Sequence, residues 1–277
     1  MKKDPLVSVI CLCHNQAPFV REAIDSVLNQ TYPHIELIVV DDGSHDKSQQ
    51  VISQTVSDTQ IQFICIEKPL GNCQAFNQGF RKSTGDFIID LAADDILLPE
   101  RIAKGLHTFE SKEIGVEFCN VLNVDGAGHK LHPHFLAEAE VPEGDLYLPL
   151  IEKYFISPPG MMMKREVLDE LDGYDESLNY EDFDFWIRSS RNYAYGYTSE
   201  VLVKKRDLKR SHSKSQFKFR NKHQRTTLKV CQKIKSLNRS KPEDRALDKR
   251  CRYEIKRCIK YGNFELIPAF LRLISKS

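Results

Sequence analysis

A chain of 277 residues with 41% hydrophobic and 29% charged residues has the composition of a soluble globular protein, long enough for one large or two small domains. No stretch approaches the roughly 20 apolar residues of a membrane span, which argues against an integral membrane protein. The net charge of +1 hides an asymmetry, because residues 204–277 hold 24 Lys and Arg against 6 Asp and Glu. The sequence therefore combines an acidic body with a basic C-terminal region.

The N-terminal segment and the cysteines indicate a cytoplasmic protein. MKKDPLVSVICLCHN resembles a signal peptide only briefly, because Asp4 and Pro5 interrupt its apolar run and no cleavage site follows. The eight cysteines form no CxxC pair and show no metal-ligand spacing with histidine. Several lie inside apolar runs, so we expect buried free thiols in a reducing compartment.

The first hundred residues alternate strand and helix patterns. Apolar β-rich runs predict strands at 6–13, 35–40, 61–66 and 87–92. Helical spacing predicts helices at 18–30, after Ser44 or Asp46, at 71–85 and after Pro99. Such alternation indicates βαβ units and an α/β fold with a mainly parallel sheet.

The rest of the chain is less regular until the basic region. We predict a strand and turn at 115–126, loops at 127–160, a strand, helix and turn at 161–178, a helix at 181–192, and helices beyond about residue 213. In parallel sheets, ligands bind beyond the carboxyl ends of the strands. The pairs Asp41-Asp42 and Asp94-Asp95 both follow strands, so the sequence places them at one edge of the sheet, facing a common crevice.

Each acid pair allows two interpretations. Adjacent carboxylates at a strand end suit a hard divalent cation such as Mg²⁺ or Mn²⁺, but Asp94-Asp95 could equally cap the helix that Pro99 begins. Asp41-Asp42 could accept hydrogen bonds from a base or a ribose, or could cap a helix. The segment has no P-loop pattern, and the first strand is not followed by GxGxxG.

Two further candidates lie in the second half of the chain. Glu181-Asp182 begins a helix, where the dipole favours acids, or supplies a general base with Trp186 as a platform for a sugar ring or an apolar acceptor. His212 lies in a polar segment, where most histidines are simply exposed.

Taken in order, these pieces resemble the family 2 glycosyltransferases over residues 5 to 213. The motifs that carry the resemblance are VSVICLCHN, SVLNQTYPHIELIVVDDGS, GNCQAFNQGF, STGDFIIDLAADDILLPERI, LDGYDESL, EDFDFWIR and His212. The resemblance implies a GT-A fold, Rossmann-like, with helices flanking a mainly parallel sheet. It also implies an inverting, metal-assisted hexosyltransferase that uses a nucleotide-diphosphate sugar, with UDP as the expected nucleotide.

The resemblance also assigns roles to residues. Asp182 corresponds to the catalytic base, with Glu181 beside it. Asp95, Asp94 and His212 correspond to ligands of Mn²⁺ or Mg²⁺, with Asp95 the direct one. The residues that correspond to the nucleotide site are Asp42, Asp41, His14, Asn15 and Asn77.

Two departures from the family pattern motivate an alternative function, although the retained Glu181-Asp182 motif and His212 favour catalysis. Ala92 stands where relatives often carry the first acid of a DxDD motif, and Phe76 stands where they often carry Arg. The alternative is a non-catalytic, nucleotide-sugar-binding partner subunit of a glycosyltransferase complex.

The expected organisation is a catalytic domain at 5–212, with a nucleotide-binding half at about 5–100 and an acceptor half at about 101–212, followed by a basic helical extension at 213–277. Clustered Lys and Arg with nearby Phe and Leu suit the anionic inner face of the cell membrane, although a solvated or partner-binding helix is an alternative. No nucleic-acid-reading module is present. The resemblance implies a saccharide or lipid-linked acceptor in the synthesis of bacterial surface polysaccharide, lipopolysaccharide or glycolipid.

Overall fold

The computed structural model describes residues 4–57, 60–208 and 219–275, and these form two compact units. Unit 1 contains residues 4–57, 60–144, 156–176 and 193–207, and unit 2 contains 145–155, 177–192, 208 and 219–275. The helix that begins at Asp182 therefore belongs to the same unit as the basic C-terminal helices, which differs from a division at residue 212. Within the described ranges, no helix is long and apolar enough to cross a membrane.

The described strands all belong to unit 1. They are β1 Val7–Cys13, β2 Ile35–Asp42, β3 Gln62–Ile66, β4 Phe87–Ala92, β5 Ile96–Leu97, β6 Val116–Val124, β7 Lys130–Pro133, β8 Met161–Lys164 and β9 Tyr195–Arg206. They form one sheet in the order β3-β2-β1-β4-β8-β6-β9-β5, with β7 paired to β6. Strands β1 to β4 are parallel to one another, whereas β8 is antiparallel to β4 and to β6. The predicted parallel sheet is confirmed in this first part.

Helices occur in both units. Their bounds are α1 Val20–Leu28, α2 Ser48–Val56, α3 Asn72–Lys82, α4 Arg101–Ser111, α5 Tyr147–Glu152, α6 Arg165–Glu170, α7 Asp182–Ser189, α8 His223–Leu237, α9 Lys241–Tyr261 and α10 Ile267–Leu273. Short 3₁₀ turns cover Pro158–Gly160 and Phe264–Leu266. Helices α5 and α7 to α10 lie in unit 2, and the others lie in unit 1. The basic C-terminal region is therefore helical, as predicted.

Burial explains why these segments take these forms. All seven residues of β1 are buried, as expected of a central strand covered on both faces. Helix α1 buries Val20, Ala23, Ile24 and Val27, a stripe at helical spacing, against the core of unit 1. Seven of the eight cysteines are buried and all are free, in agreement with the predicted buried thiols.

Helix α9 is delimited by strong local signals. Ser240 and Glu243 form a capping box at its start, where the Ser240 side chain accepts the backbone N–H of Glu243. At its other end, Gly262 takes a left-handed conformation with φ +74° and closes the helix.

Candidate functional site

The carboxyl ends of three neighbouring strands form one edge of the sheet in unit 1. Strand β1 lies between β2 and β4, with Cys13 level with Asp41 and Leu12 level with Ala92. The pair that ends β2 and the pair that follows β4 therefore flank the segment after β1. The predicted placement of both acid pairs at one edge is confirmed.

Asp41 is fully buried at the end of β2. Its Oδ1 accepts the backbone N–H of Ser44 and the side-chain amide of Gln49, each over 2.9 Å. Its Oδ2 is buried and has no hydrogen-bond partner within the described part of the chain. An unpaired buried carboxylate oxygen is costly, and it offers an acceptor to an incoming N–H or O–H donor.

Asp42 holds the loop that precedes α3. Its Oδ1 accepts the backbone N–H of Leu70 over 2.7 Å, and its Oδ2 accepts that of Gly71 over 2.9 Å. Gly43 has φ +64°, and a side chain there would meet the backbone N of Pro69 at 2.6 Å. Through charge-assisted hydrogen bonds, both Asp42 oxygens thus hold the loop before α3 against the turn that follows β2. Its role in reading the nucleotide base stays a prediction.

His14 and Asn15 continue β1 at the same edge. The ring Nδ1 of His14 donates to the carbonyl oxygen of Asp42 over 2.6 Å, and its Nε2 accepts the side-chain amide of Asn15 over 2.9 Å. Asn15 has φ +57°, and its backbone N–H donates to Ser44 Oγ over 2.8 Å. The two side chains tie the end of β1 to the turn after β2. Asn15 is exposed, so it remains open to a ligand.

Asp94 and Asp95 lie in the turn between β4 and β5. Burial, and then the neighbouring Asp94 carboxylate, raise the pKa of Asp95 to about 8. Burial also raises the pKa of Asp94, against the lowering effect of its own backbone N–H and a hydrogen bond from Gln16. A buried carboxylate next to a half-buried one fits a hard divalent cation, which would favour the charged forms of both.

The third predicted cation ligand, His212, lies outside the described residues. Within the described ranges, no group of three His, Cys, Asp or Glu side chains is arranged to hold a metal ion. The cation site at Asp94, Asp95 and His212 therefore stays a prediction.

Arg206, at the end of β9, positions Asp95, and the sequence analysis missed it. Its backbone N–H donates to Asp95 Oδ1 over 2.9 Å. Its side chain is buried, pairs with Glu22 and lies 4.9 Å from the ring centroid of Phe19. The β-rich stretch YGYTSEVLVKKR was the available signal for this strand.

Asn77 is buried on α3, and its amide binds the loop after α6. Its Oδ1 accepts the backbone N–H of Tyr174 over 2.9 Å, and its Nδ2 donates to the Tyr174 carbonyl over 2.8 Å and to Glu176 Oε1 over 3.0 Å. Phe76, where relatives often carry Arg, stacks on the Tyr174 ring at 4.2 Å between centroids. This geometry favours a positioning role for Asn77, and its contact with a nucleotide stays a prediction.

In unit 2, the acids at the start of α7 have different environments. Glu181 precedes the helix and Asp182 begins it, and both are partly exposed. Asp184 is only 1% exposed, and its carboxylate accepts hydrogen bonds from Arg188 and Lys233, each over 2.6 Å. Asp184 therefore joins α7 to α8, whereas Asp182 is accessible to solvent.

The predicted platform role of Trp186 is wrong. Its side chain is 3% exposed and packs edge-on against Tyr154, with 5.7 Å between ring centroids. An indole buried in this way stabilises unit 2 and has no open face for a sugar ring.

The fold is that of GT-A glycosyltransferases. TarS of S. aureus (residues 1–349, in complex with UDP-GlcNAc) superposes with a TM-score of 0.74 at 17% identity, over 97% of this chain and 79% of that one. The mannosyltransferase PcManGT of Pyrobaculum calidifontis, in complex with GDP-Man and Mn²⁺, superposes with a TM-score of 0.65 at 18% identity, over 98% of this chain and 74% of that one.

Sequence comparison identifies the family. The family model described as "Glycosyl transferase family 2" matches residues 8–172. An uncharacterised glycosyltransferase of Methanocaldococcus jannaschii is 32% identical over 82% of this chain and 79% of its own length. One of Rickettsia typhi is 32% identical over 73% of this chain and 64% of its own length. The chain belongs to glycosyltransferase family 2, and the matched residues include both acid pairs but end before Asp182.

Proposed function

We propose that this protein transfers a hexosyl group from a nucleotide-diphosphate sugar, with UDP as the nucleotide, to an acceptor hydroxyl with inversion at the anomeric carbon. The observation that carries the proposal is the adjacent pair Asp94-Asp95 at a strand end, of which Asp95 is buried with a pKa raised by burial and by the Asp94 carboxylate, in a chain of glycosyltransferase family 2. A divalent cation that binds substrate phosphates is usually held by one or two carboxylates of the protein. Two solved proteins of the same fold were crystallised with UDP-GlcNAc and with GDP-Man plus Mn²⁺, which supports a donor of this class.

Asp95, Asp94 and His212 would hold the cation, Mn²⁺ or Mg²⁺. When bound, such a cation stabilises the negative charge that develops on the leaving diphosphate. The backbone N–H of Arg206 fixes Asp95 Oδ1 in place, which prepares the carboxylate before any ligand arrives.

The nucleotide would be recognised by the edge residues around the first acid pair. The unpaired Oδ2 of Asp41 is an acceptor for an N–H or O–H of the nucleotide, while Asp42 shapes the loop beside it. The side chains of His14 and Asn15 complete this surface, and Asn77 positions the neighbouring loop.

Asp182 would act as the general base. Its carboxylate takes the proton of the acceptor hydroxyl as the hydroxyl oxygen bonds to the anomeric carbon and the bond from that carbon to the diphosphate breaks. Displacement from the opposite face inverts the anomeric configuration. Glu181, next to it at the start of α7, keeps the local charge negative, and the helix N-terminus stabilises both carboxylates.

We further propose a saccharide or lipid-linked acceptor in bacterial surface polysaccharide, lipopolysaccharide or glycolipid synthesis, on the cytoplasmic side of the membrane. The resemblance to family 2 and the charge of the C-terminal helices support this assignment. Nucleic acid is not a proposed partner.

A comparison of two Asp→Asn variants tests the proposal. Asp182→Asn should reduce transfer or donor hydrolysis by about 10²–10⁴-fold and leave nucleotide binding intact, because only the proton acceptor is lost. Asp25→Asn, which changes an exposed acid of α1, is the matched control and should keep full activity. Donor binding without turnover by the unaltered protein, for every acceptor tried, would favour the non-catalytic partner subunit instead.

A further inference from the structure

Helix α9 segregates its charges. Glu243 and Glu254 are buried beside Arg191 and Arg250, with nitrogen–oxygen distances of 3.1 Å in both pairs. The other two acids are Asp244, which pairs with Lys235, and Asp248, which is half-buried and accepts the backbone N–H of Ser275. The exposed cations of the helix recur every three or four residues, which places them on one side. We call this side the basic face, and its cations are Lys241, Arg245, Lys249, Arg252, Lys256 and Lys260.

The basic face is long, and one half-buried acid of the helix, Asp248, lies at its edge four residues before Arg252. From its first to its last cation it extends about 29 Å along the helix axis, at 1.5 Å per residue. Lys249 pairs with Glu152 over 2.8 Å, and within the described ranges the other five cations have no ion pair. Like charges four residues apart destabilise a helix, and a merely solvated face alternates charges of both signs. The arrangement is suited to an external anionic surface.

Apolar side chains accompany these cations. Tyr253 is 55% and Ile259 is 57% exposed, and both lie within the basic face. Phe264 and Leu271, which follow the helix, are also more than half exposed. Cations interleaved with an aromatic and an aliphatic side chain match the boundary of an anionic bilayer, where lipid phosphates meet acyl chains.

We propose that the basic face of α9 docks on an anionic phospholipid bilayer. A nucleic acid is the other polyanion with this charge, but a convex helix with exposed Tyr253 and Ile259 offers apolar contacts that a phosphate backbone does not use. The inference deepens the proposed function, because a lipid-linked acceptor would lie at the same surface. Docking itself depends on no catalytic residue.

The test is co-sedimentation of the full chain with lipid vesicles. Vesicles with about 30% phosphatidylglycerol should bind the protein at about 0.05 M salt and release it at about 0.5 M salt, and phosphatidylcholine vesicles should not bind it. The combined substitution Arg252→Gln, Lys256→Gln and Lys260→Gln should weaken binding about 100-fold, since each charge near the surface contributes roughly fivefold.

A matched control changes the same number of charges elsewhere. Lys82→Gln, Lys130→Gln and Lys153→Gln remove three exposed cations outside α9 and should leave vesicle binding within about threefold of the unaltered protein. Tyr253→Ser with Ile259→Ser keeps every charge and should weaken binding by about tenfold, because apolar insertion is lost. Thermal melts of all variants verify that the chain remains folded.

Three results would overturn the docking proposal. They are the absence of binding to phosphatidylglycerol vesicles at low salt, equal losses in the α9 and control variants, and binding of duplex DNA or RNA without vesicle binding. Vesicle binding should persist in Asp95→Asn, and a nucleotide-induced thermal shift should persist in the α9 triple variant. A failure of docking is therefore distinguishable from a failure of the proposed transfer activity.

Discussion

The two Asp-Asp pairs of unit 1 have the same sequence and flank the same strand, yet their surroundings differ. Asp41-Asp42 receives four N–H donors from other residues: Ser44, Gln49, Leu70 and Gly71. Asp94-Asp95 receives, besides the N–H of Asp94 itself, one backbone N–H from Arg206 and one side-chain hydrogen bond from Gln16. The two identical dipeptides at this edge of the sheet therefore differ in the number of hydrogen-bond donors that reach their carboxylates.

This difference has a physical consequence. The carboxylates of the first pair accept hydrogen bonds that hold loops together. Loss of these carboxylates should therefore mainly affect folding and nucleotide recognition. In the second pair, burial and then the neighbouring Asp94 carboxylate raise the pKa of Asp95, so this pair is suited to a bound cation. Four measurements on three substitutions test this contrast, from the largest expected effect to the smallest.

The largest effect should come from Asp95→Asn on catalysis. We expect the transfer rate to fall by about 10²–10³-fold, because cation binding that stabilises the leaving group contributes several kcal/mol and each factor of ten corresponds to about 1.4 kcal/mol. Initial rates at saturating Mn²⁺ or Mg²⁺ measure it, with Asp25→Asn as the control of equal charge change. An unaltered rate would remove the cation role from this pair.

In a stability measurement the first pair should matter more than the second, so we expect Asp42→Asn to destabilise the protein. The amide leaves Leu70 or Gly71 without a carboxylate acceptor and places an N–H against an N–H. We expect the free energy of unfolding to fall by about 2–3 kcal/mol in urea titrations. A loss below that of Asp25→Asn would show that the loop does not depend on this carboxylate.

Asp41→Asn should act mainly on nucleotide binding. Because Oδ1 must stay with its two N–H donors, the new amide nitrogen occupies the position of the unpaired Oδ2 and turns an acceptor into a donor. The nucleotide dissociation constant should rise about tenfold, in line with the loss of one buried hydrogen bond. Calorimetric titration measures it, and unchanged affinity would exclude Asp41 from the nucleotide contact.

The smallest effect should be a gain in stability for Asp95→Asn in EDTA. The amide keeps the acceptor for the Arg206 N–H and removes the repulsion with Asp94. We expect about 1 kcal/mol more unfolding free energy than in the unaltered protein under the same cation-free conditions. Saturating Mn²⁺ should abolish the advantage, because only the carboxylate pair gains stability from the ion. A destabilised variant in EDTA would contradict the repulsion.

Local sequence patterns were sufficient to predict the first four strands of the sheet. Buried apolar runs located β1, β2, β3 and β4 within two residues at each end, and parallel pairing then placed both acid pairs at one edge. In α1, Val20, Ile24 and Val27 are buried, whereas Leu28, an apolar residue at the same helical spacing, is 54% exposed at the helix end. Helical periodicity alone does not show which residue is the last to pack against the core.

Contacts between distant residues could not be predicted in the same way. The donor that holds Asp95 is a backbone N–H 111 residues further along the chain, and any residue other than proline at that position could supply it. The joining of α7 to α8 through Asp184 and Lys233 likewise depends on tertiary packing, whereas the predicted boundary at residue 212 followed composition.

The most direct test of the contrast between the two pairs is a thermal-shift measurement of the purified protein with UDP, GDP, CDP and TDP, each in Mn²⁺, Mg²⁺ or EDTA. A ligand that binds only the folded state raises the melting temperature by mass action. The expected result is a shift with UDP that requires the cation, disappears in Asp95→Asn and persists in Asp25→Asn. A shift of equal size in EDTA, or one that survives in Asp95→Asn, would contradict a cation site at Asp94-Asp95.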